Sequence, residues 1–193
     1  MRVGTEAQSV CAHIAGTSYC QAGATVALSG ALAAALGQAT ANGSLDDQVA
    51  GAAAEAARSV QQELTGIRER FLTLADQDGT AIGEMYALKK SGQTLRGYAL
   101  LCDGPREMAE LAIRATRALQ DYRRFVCVRT RDDLEFGITL MATVARAAMQ
   151  LLDSNMRIWP LPELLAQYDA VVTDLAAQID ALTPAKRIRP QTH

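Results

Sequence analysis

The chain has 193 residues, enough for one domain that buries about 70% of its unfolded surface. Apolar residues make up 49% and charged ones 21%, which excludes a disordered chain; aromatics are only 5%, so the apolar content is mainly helix-favouring alanine and leucine. A net charge of -2 gives no electrostatic footprint for nucleic acid, and the short basic run KRIRP near the C-terminus does not supply one.

Cys11, Cys20, Cys102 and Cys127 form no CxxC pair, and the only histidines are His13 and His193. A Cys/His zinc site and a disulfide framework are therefore not expected, and no metal is; free thiols in a cytoplasmic protein fit the pattern. His13 does not face Cys11 on a helix, so a Cys–His nucleophile pair is not expected there.

Nothing charged lies between Glu6 and Asp46. From Ala22 to Leu36 the large residues are only Val26, Leu28, Leu32 and Leu36, too few for stable insertion in a bilayer. The small residues of ATAN (39–42) mimic a signal cleavage site, but Arg2 is offset by Glu6 in a long leader. A buried helix is predicted instead. Gly23, Ala27, Gly30 and Ala34 share one face, which lets another helix come close.

Ser44, followed by Asp46 and Asp47, is predicted to cap a second helix that reaches Leu74. Its apolar positions are Val49, Ala53, Ala56, Val60, Leu64, Ile67 and Phe71. Asp76 is predicted to cap a further helix to Lys90, broken at Ser91 and Gly92. A short helix is expected over Thr94–Leu101, then a new one from Gly104-Pro105 with Met108, Leu111, Ala112, Ala115 and Leu119 buried. FVCV (125–128) reads as a turn. Helices over Asp132–Asp153 and Pro162–Leu182 complete an all-α bundle of about six to eight helices in a single domain, residues 1–193, with a flexible tail at 184–193. Two unusually apolar helices point to a deep core or a subunit interface, and a dimer is expected.

The order of these segments resembles the folate-dependent cyclodeaminase/cyclohydrolase family, which comprises the C-terminal part of formiminotransferase-cyclodeaminase and methenyltetrahydrofolate cyclohydrolase. VALSGALAAALGQATANGS is similar to the family's AALAGALGAALxxMVANLT helix, with Gly30, Leu32, Leu36 and Asn42 in place. LADQDGTAIGEMYALKK resembles LxDEDAxAFxxVMxAYKLPK through Asp76, Asp78, Ala81, Met85 and Lys89. CDGPREMAELAIRATRALQD resembles the next helix, and MATVARAAMQLLDSNMRI resembles VAAxLAxAAxxGAxxNVxINL through Asn155, Arg157 and Ile158. The likeness spans roughly residues 20–160. Three departures stand out. The family's GGGS falls on Gln21–Ala24 and keeps only Gly23; its GKKxY is absent; its Ser-Asp falls on Phe136 and Gly137, unless a four-residue shift brings in Asp132 or Asp133.

The resemblance implies a cytoplasmic homodimer that acts on a reduced folate or other reduced pterin as substrate, with no covalently bound cofactor, no nucleic acid and no membrane. Cyclohydrolase activity is expected over cyclodeaminase, since no formiminotransferase part is present. Attack of water on a methenyl carbon needs a group to move a proton and an anion to favour the cation. Asp78 and Asp133 are the catalytic candidates. Gly23, Thr25, Asn42, Asn155 and Arg157 are the substrate-binding candidates, Arg157 for the folate glutamate carboxylate. The alternative is a diverged relative that binds a pterin, assists another one-carbon enzyme, or serves as a plain helical scaffold.

Overall fold

The computed structural model describes residues 2–16, 21–185 and 188. Among them are six α-helices and no strand: α1 Val3–Gly16, α2 Ala22–Asp46, α3 Ala52–Lys90, α4 Thr94–Tyr122, α5 Arg131–Ile158 and α6 Pro162–Asp180. A 3-10 turn at Val128–Thr130 leads into α5. Helices α2 to α5 form an up-down-up-down ring, each packed on its neighbours and α5 closing back on α2; α6 lies outside against α4 and α5. Most of the predicted tail, and Cys20, lie outside the described residues.

Glycine sets the spacing of the ring. On α2, Gly23, Gly30 and Gly37 recur every seven residues. On α3, running the other way, Asp78, Phe71 and Leu64 recur at the same interval, and each occupies the space a Cβ on the facing glycine would need. Phe71 and Leu64 are fully buried there. At Gly37 all four helices meet: Leu64 of α3 and Leu119 of α4 fill the space a side chain would take, and a Cβ on Gly137 of α5 would already be in van der Waals contact with the Gly37 backbone, 3.8 Å from its nitrogen. A seven-residue repeat on two antiparallel helices keeps the seam aligned along its length. Register is fixed by polarity as well: buried Gln38 donates to Thr65 Oγ1 at 2.6 Å and accepts from Arg68 at 2.9 Å.

The uncharged stretch is thus a helix with 12 of its 25 residues buried in protein, as predicted, although α2 is also long and apolar enough to span a bilayer. Several helix boundaries differ from expectation. Ser44 does not cap the next helix. It closes α2, where its Oγ is buried, donates to the Thr40 carbonyl (3.3 Å) and accepts the Cys127 N–H at 3.0 Å. The chain turns at Gln48 and Gly51, both with φ of 58°, and Gly51 begins α3 with a ψ of -136° that only glycine adopts readily. Helix α3 then runs unbroken for 39 residues, so Asp76 lies mid-helix and caps nothing. The two predicted helices share one phase of apolar residues, and nothing between Leu74 and Gln77 breaks a helix. Helix α1 was not predicted; none of its residues is buried.

Helix α4 also contains both the predicted short helix and Pro105, which was expected to begin a new one. Proline removes the N–H that would bond the carbonyl four residues back, here Leu101. Asn155 of α5 supplies the missing donor, its Nδ2 lying 2.7 Å from the Leu101 oxygen. The helix therefore continues through a residue that ordinarily ends one. Asn155→Ala is expected to lower stability by about 1–3 kcal/mol, the cost of a buried polar group left unpaired. In a Pro105→Ala background, where the backbone again supplies the donor, the same change costs much less. Urea denaturation of the four members of this cycle measures both values.

Candidate active site at the start of helix α2

The first turn of a helix presents unpaired N–H groups. At the start of α2 one of them is met from another helix: the Ala24 N–H donates to Asp78 Oδ2 of α3 at 2.9 Å. The carboxylate can reach it because residue 23 is glycine. A Cβ on Gly23 would overlap Asp78 Oδ1. Asp78 thus occupies the last rung of the glycine seam, where the earlier rungs carry Phe71 and Leu64. Burial raises its pKa above the ordinary 3.8, and the Ala24 hydrogen bond partly offsets this. Thr25 does not reach Asp78; its Oγ1 donates to the Gln21 carbonyl at 2.8 Å.

Two hollows flank this point on opposite sides of α3. The larger, about 700 Å³, lies among Gln21, just before α2, Ala24 and Leu28 of α2, Leu72, Ala75 and Asp76 of α3, and one edge of α1. That volume suits a small organic ligand, and the walls are mainly apolar. Gln21 is buried, and its side-chain amide lies 3.2 Å from His13 Nε2. The smaller hollow, about 260 Å³, has Asp78 in its wall with Arg70, Leu101, Asp103 and Glu107. Arg70 grips Glu107 through two bonds of 2.6 and 2.7 Å and holds its carboxyl below the usual carboxylate range. Tyr168 of α6 donates to Asp103 at 2.7 Å, which fixes that rim. Burial pushes the Cys102 thiol up to about 11, so it stays protonated and is no nucleophile at neutral pH. Among the described residues no cluster of three or more His, Cys, Asp or Glu could hold a metal.

The ring topology places Gly23, Thr25, Asp78, Asn155 and Arg157 at one end of the bundle. Gly23 and Asp78 touch; Asn155 is engaged with Leu101, and Arg157 is exposed at the end of α5. Asn42 and Asp133 lie at the other end. Asn42 is exposed and accepts from Gln61 at 3.1 Å. It stands nineteen residues after Gly23, roughly 28 Å along the helix axis. Asp133 is exposed in the first turn of α5, just beyond Thr130, whose hydroxyl donates to the Thr40 carbonyl at 3.2 Å. Asp78 and Asp133 therefore do not share a pocket. Phe136 and Gly137 bring no polar group to the candidate site; Gly137 is packed at the bundle centre. His13, Gln21 and the Arg70–Glu107 pair enter the site unpredicted. Only Gln21 carried a signal, as a departure at a glycine position.

A family model for formiminotransferase-cyclodeaminase matches residues 15–172. It covers both helices of the glycine seam and the ring they close, and the chain belongs to that family. No curated protein matches the chain.

The raised pKa of Asp78 has a testable sign. A value above that of the unfolded chain disfavours the ionised form in the fold, so the stability linked to Asp78 is full when it is protonated and falls as pH rises through the raised value. Asp78→Asn keeps an oxygen for the Ala24 N–H but removes the charge. Its melting temperature relative to the parent is expected to be most favourable near neutral pH. The relative gain should shrink as the pH falls through the raised value towards about 4, the ordinary carboxylate range, and be gone below it. Melting curves across that range read the difference; a relative gain that grows on acidification contradicts the assignment.

Proposed function

We propose that the protein acts on the one-carbon unit of a reduced folate, in the manner of a methenyltetrahydrofolate cyclohydrolase, with Asp78 as the proton-handling group. One observation carries this reading. In a chain of the formiminotransferase-cyclodeaminase family, a partly desolvated carboxylate is held against the start of α2 in the wall of the smaller hollow, and the larger, mainly apolar hollow opens on the other side of α3 against Ala24. Water adds to the methenyl carbon and gives up a proton to the carboxylate. One C–N bond then breaks, and the nitrogen that leaves takes a proton. A raised pKa makes Asp78 a stronger base than an exposed carboxylate, and its negative charge favours a cationic substrate. Arg157, exposed at the same end of the bundle, suits the glutamate carboxylate of the folate.

A second reading, a relative that binds the pterin without turning it over, draws on a different observation. The Asp78 carboxylate is already engaged by Ala24, Asn155 is committed to Leu101, and the positions of the family's Ser-Asp are Phe136 and Gly137. The loss of methenyltetrahydrofolate absorbance separates the two. The first reading expects turnover well above the uncatalysed rate, with Asp78→Asn lowering kcat/KM at least about 100-fold and leaving the fold intact. Folate binding without turnover selects the second.

The same reading includes a homodimer. Ala22, Thr25, Ser29, Leu32 and Ala39 form an exposed, uncharged stripe along α2, flanked on α5 by Phe136 and Leu140, each 49% exposed. Light scattering should give twice the chain mass, and Leu32→Glu should give the monomer.

A further inference from the structure

Helix α1 is out of keeping with the rest of the molecule. It has 14 residues, none buried, and a helix of that length is marginal in water without packing. Yet Val10, His13 and Ile14, spaced to share one face, turn towards the 700 Å³ hollow, on whose far side stand Leu28, Leu72 and Ala75. Two apolar walls thus face each other across a gap that side chains do not fill. The polar groups at the gap are specific: Asp76 lies on its α3 wall, and His13 on its α1 wall is bonded to the amide of Gln21, a side chain only 8% exposed. The family match begins at residue 15, so almost all of α1 precedes it. This wall belongs to the chain and not to the matched region.

We propose that α1 is the outer wall of the ligand site, and that the flat ring of a reduced folate fills the gap between its Val10–Ile14 edge and Leu28, Leu72 and Ala75. The proposal rests on the folate reading above and adds a part of the chain to it. The ring supplies the apolar surface on which α1 packs, so docking of α1 and binding of the ligand are one equilibrium. The pterin edge carries amino and ring N–H donors, which Asp76 accepts, and a carbonyl, which the His13–Gln21 pair can meet with a donor. His13, Gln21 and Asp76 are then substrate-binding residues, and Val10 is a contact that matters only when the site is loaded.

The experiment uses the full chain and 5-formyltetrahydrofolate, a reduced folate that keeps its one-carbon unit. Hydrogen exchange of residues 3–16 should slow at least tenfold on saturation. Val10→Asp should weaken calorimetric binding about tenfold without moving the melting temperature of the unliganded protein, because Val10 is not buried there. His13→Ala should weaken binding without loss of fold. If the folate binds while exchange in α1 is unchanged and Val10→Asp binds like the parent, α1 is no part of the site and the folate reading survives. If the parent chain binds no reduced folate, both readings are overturned. A shift in the unliganded melting temperature of Val10→Asp would show that α1 packs on the bundle already and would overturn the coupling.

Discussion

The close approach of α2 to α3 is the constraint on which the rest of the molecule depends. Three glycines at seven-residue intervals leave a groove along α2, and three side chains at the same interval on α3 fill it. Dispersion and apolar burial hold two of the rungs, through Leu64 and Phe71, both without solvent exposure. At Gly37 the groove is deep enough for Leu119 of α4 to enter as well, and the Gly137 backbone closes from α5. Any side chain larger than hydrogen at Gly30 or Gly37 would have to displace one of these. The third rung differs in kind. There the seam presents a carboxylate to a backbone N–H, so the packing that builds the bundle also delivers Asp78 to the helix start.

The two ends of α2 are consequently finished in opposite ways. At its C-terminal end the carbonyls are met by cationic and hydroxyl groups: Arg129 donates to the Gly43 carbonyl at 2.9 Å and pairs with Asp47, and Thr130 donates to the Thr40 carbonyl. Positive charge there is favoured by the helix dipole. Nearby, half-buried Arg123 and buried Glu135 pair through two bonds of 2.8 Å, joining the end of α4 to α5. This end is closed by protein. At the N-terminal end the anion is a single carboxylate of α3, and hollows that side chains leave unfilled lie on either side of it.

Several polar residues that resemble a family's ligand contacts turn out to have structural duties. Asn155 replaces the donor that Pro105 lacks, and Thr25 bonds the Gln21 carbonyl. Such duties do not lower their relevance to the site. Leu101, whose carbonyl Asn155 holds, lines the smaller hollow beside Asp103 and Asp78. The Asn155 contact therefore sets the position of the wall that a ligand there would meet.

Alanine, leucine and the absence of strand signals were enough to determine an all-α bundle, because helix propensity and the 3.6-residue period act locally. The buried face of α2 was also legible, since glycine and alanine at three- and four-residue steps have few uses except close packing. Helix continuity was not. Periodicity cannot tell whether two stretches in phase, such as Leu64–Leu74 and Ala81–Leu88, are one rod or two, and Pro105 reads as a start until Asn155 is seen across the ring. Nor could spacing show that Asp78 and Asp133 stand at opposite ends, or that His13 meets Gln21. Those facts follow from antiparallel packing of helices distant in sequence, and only the tertiary structure decides which end of each helix meets which.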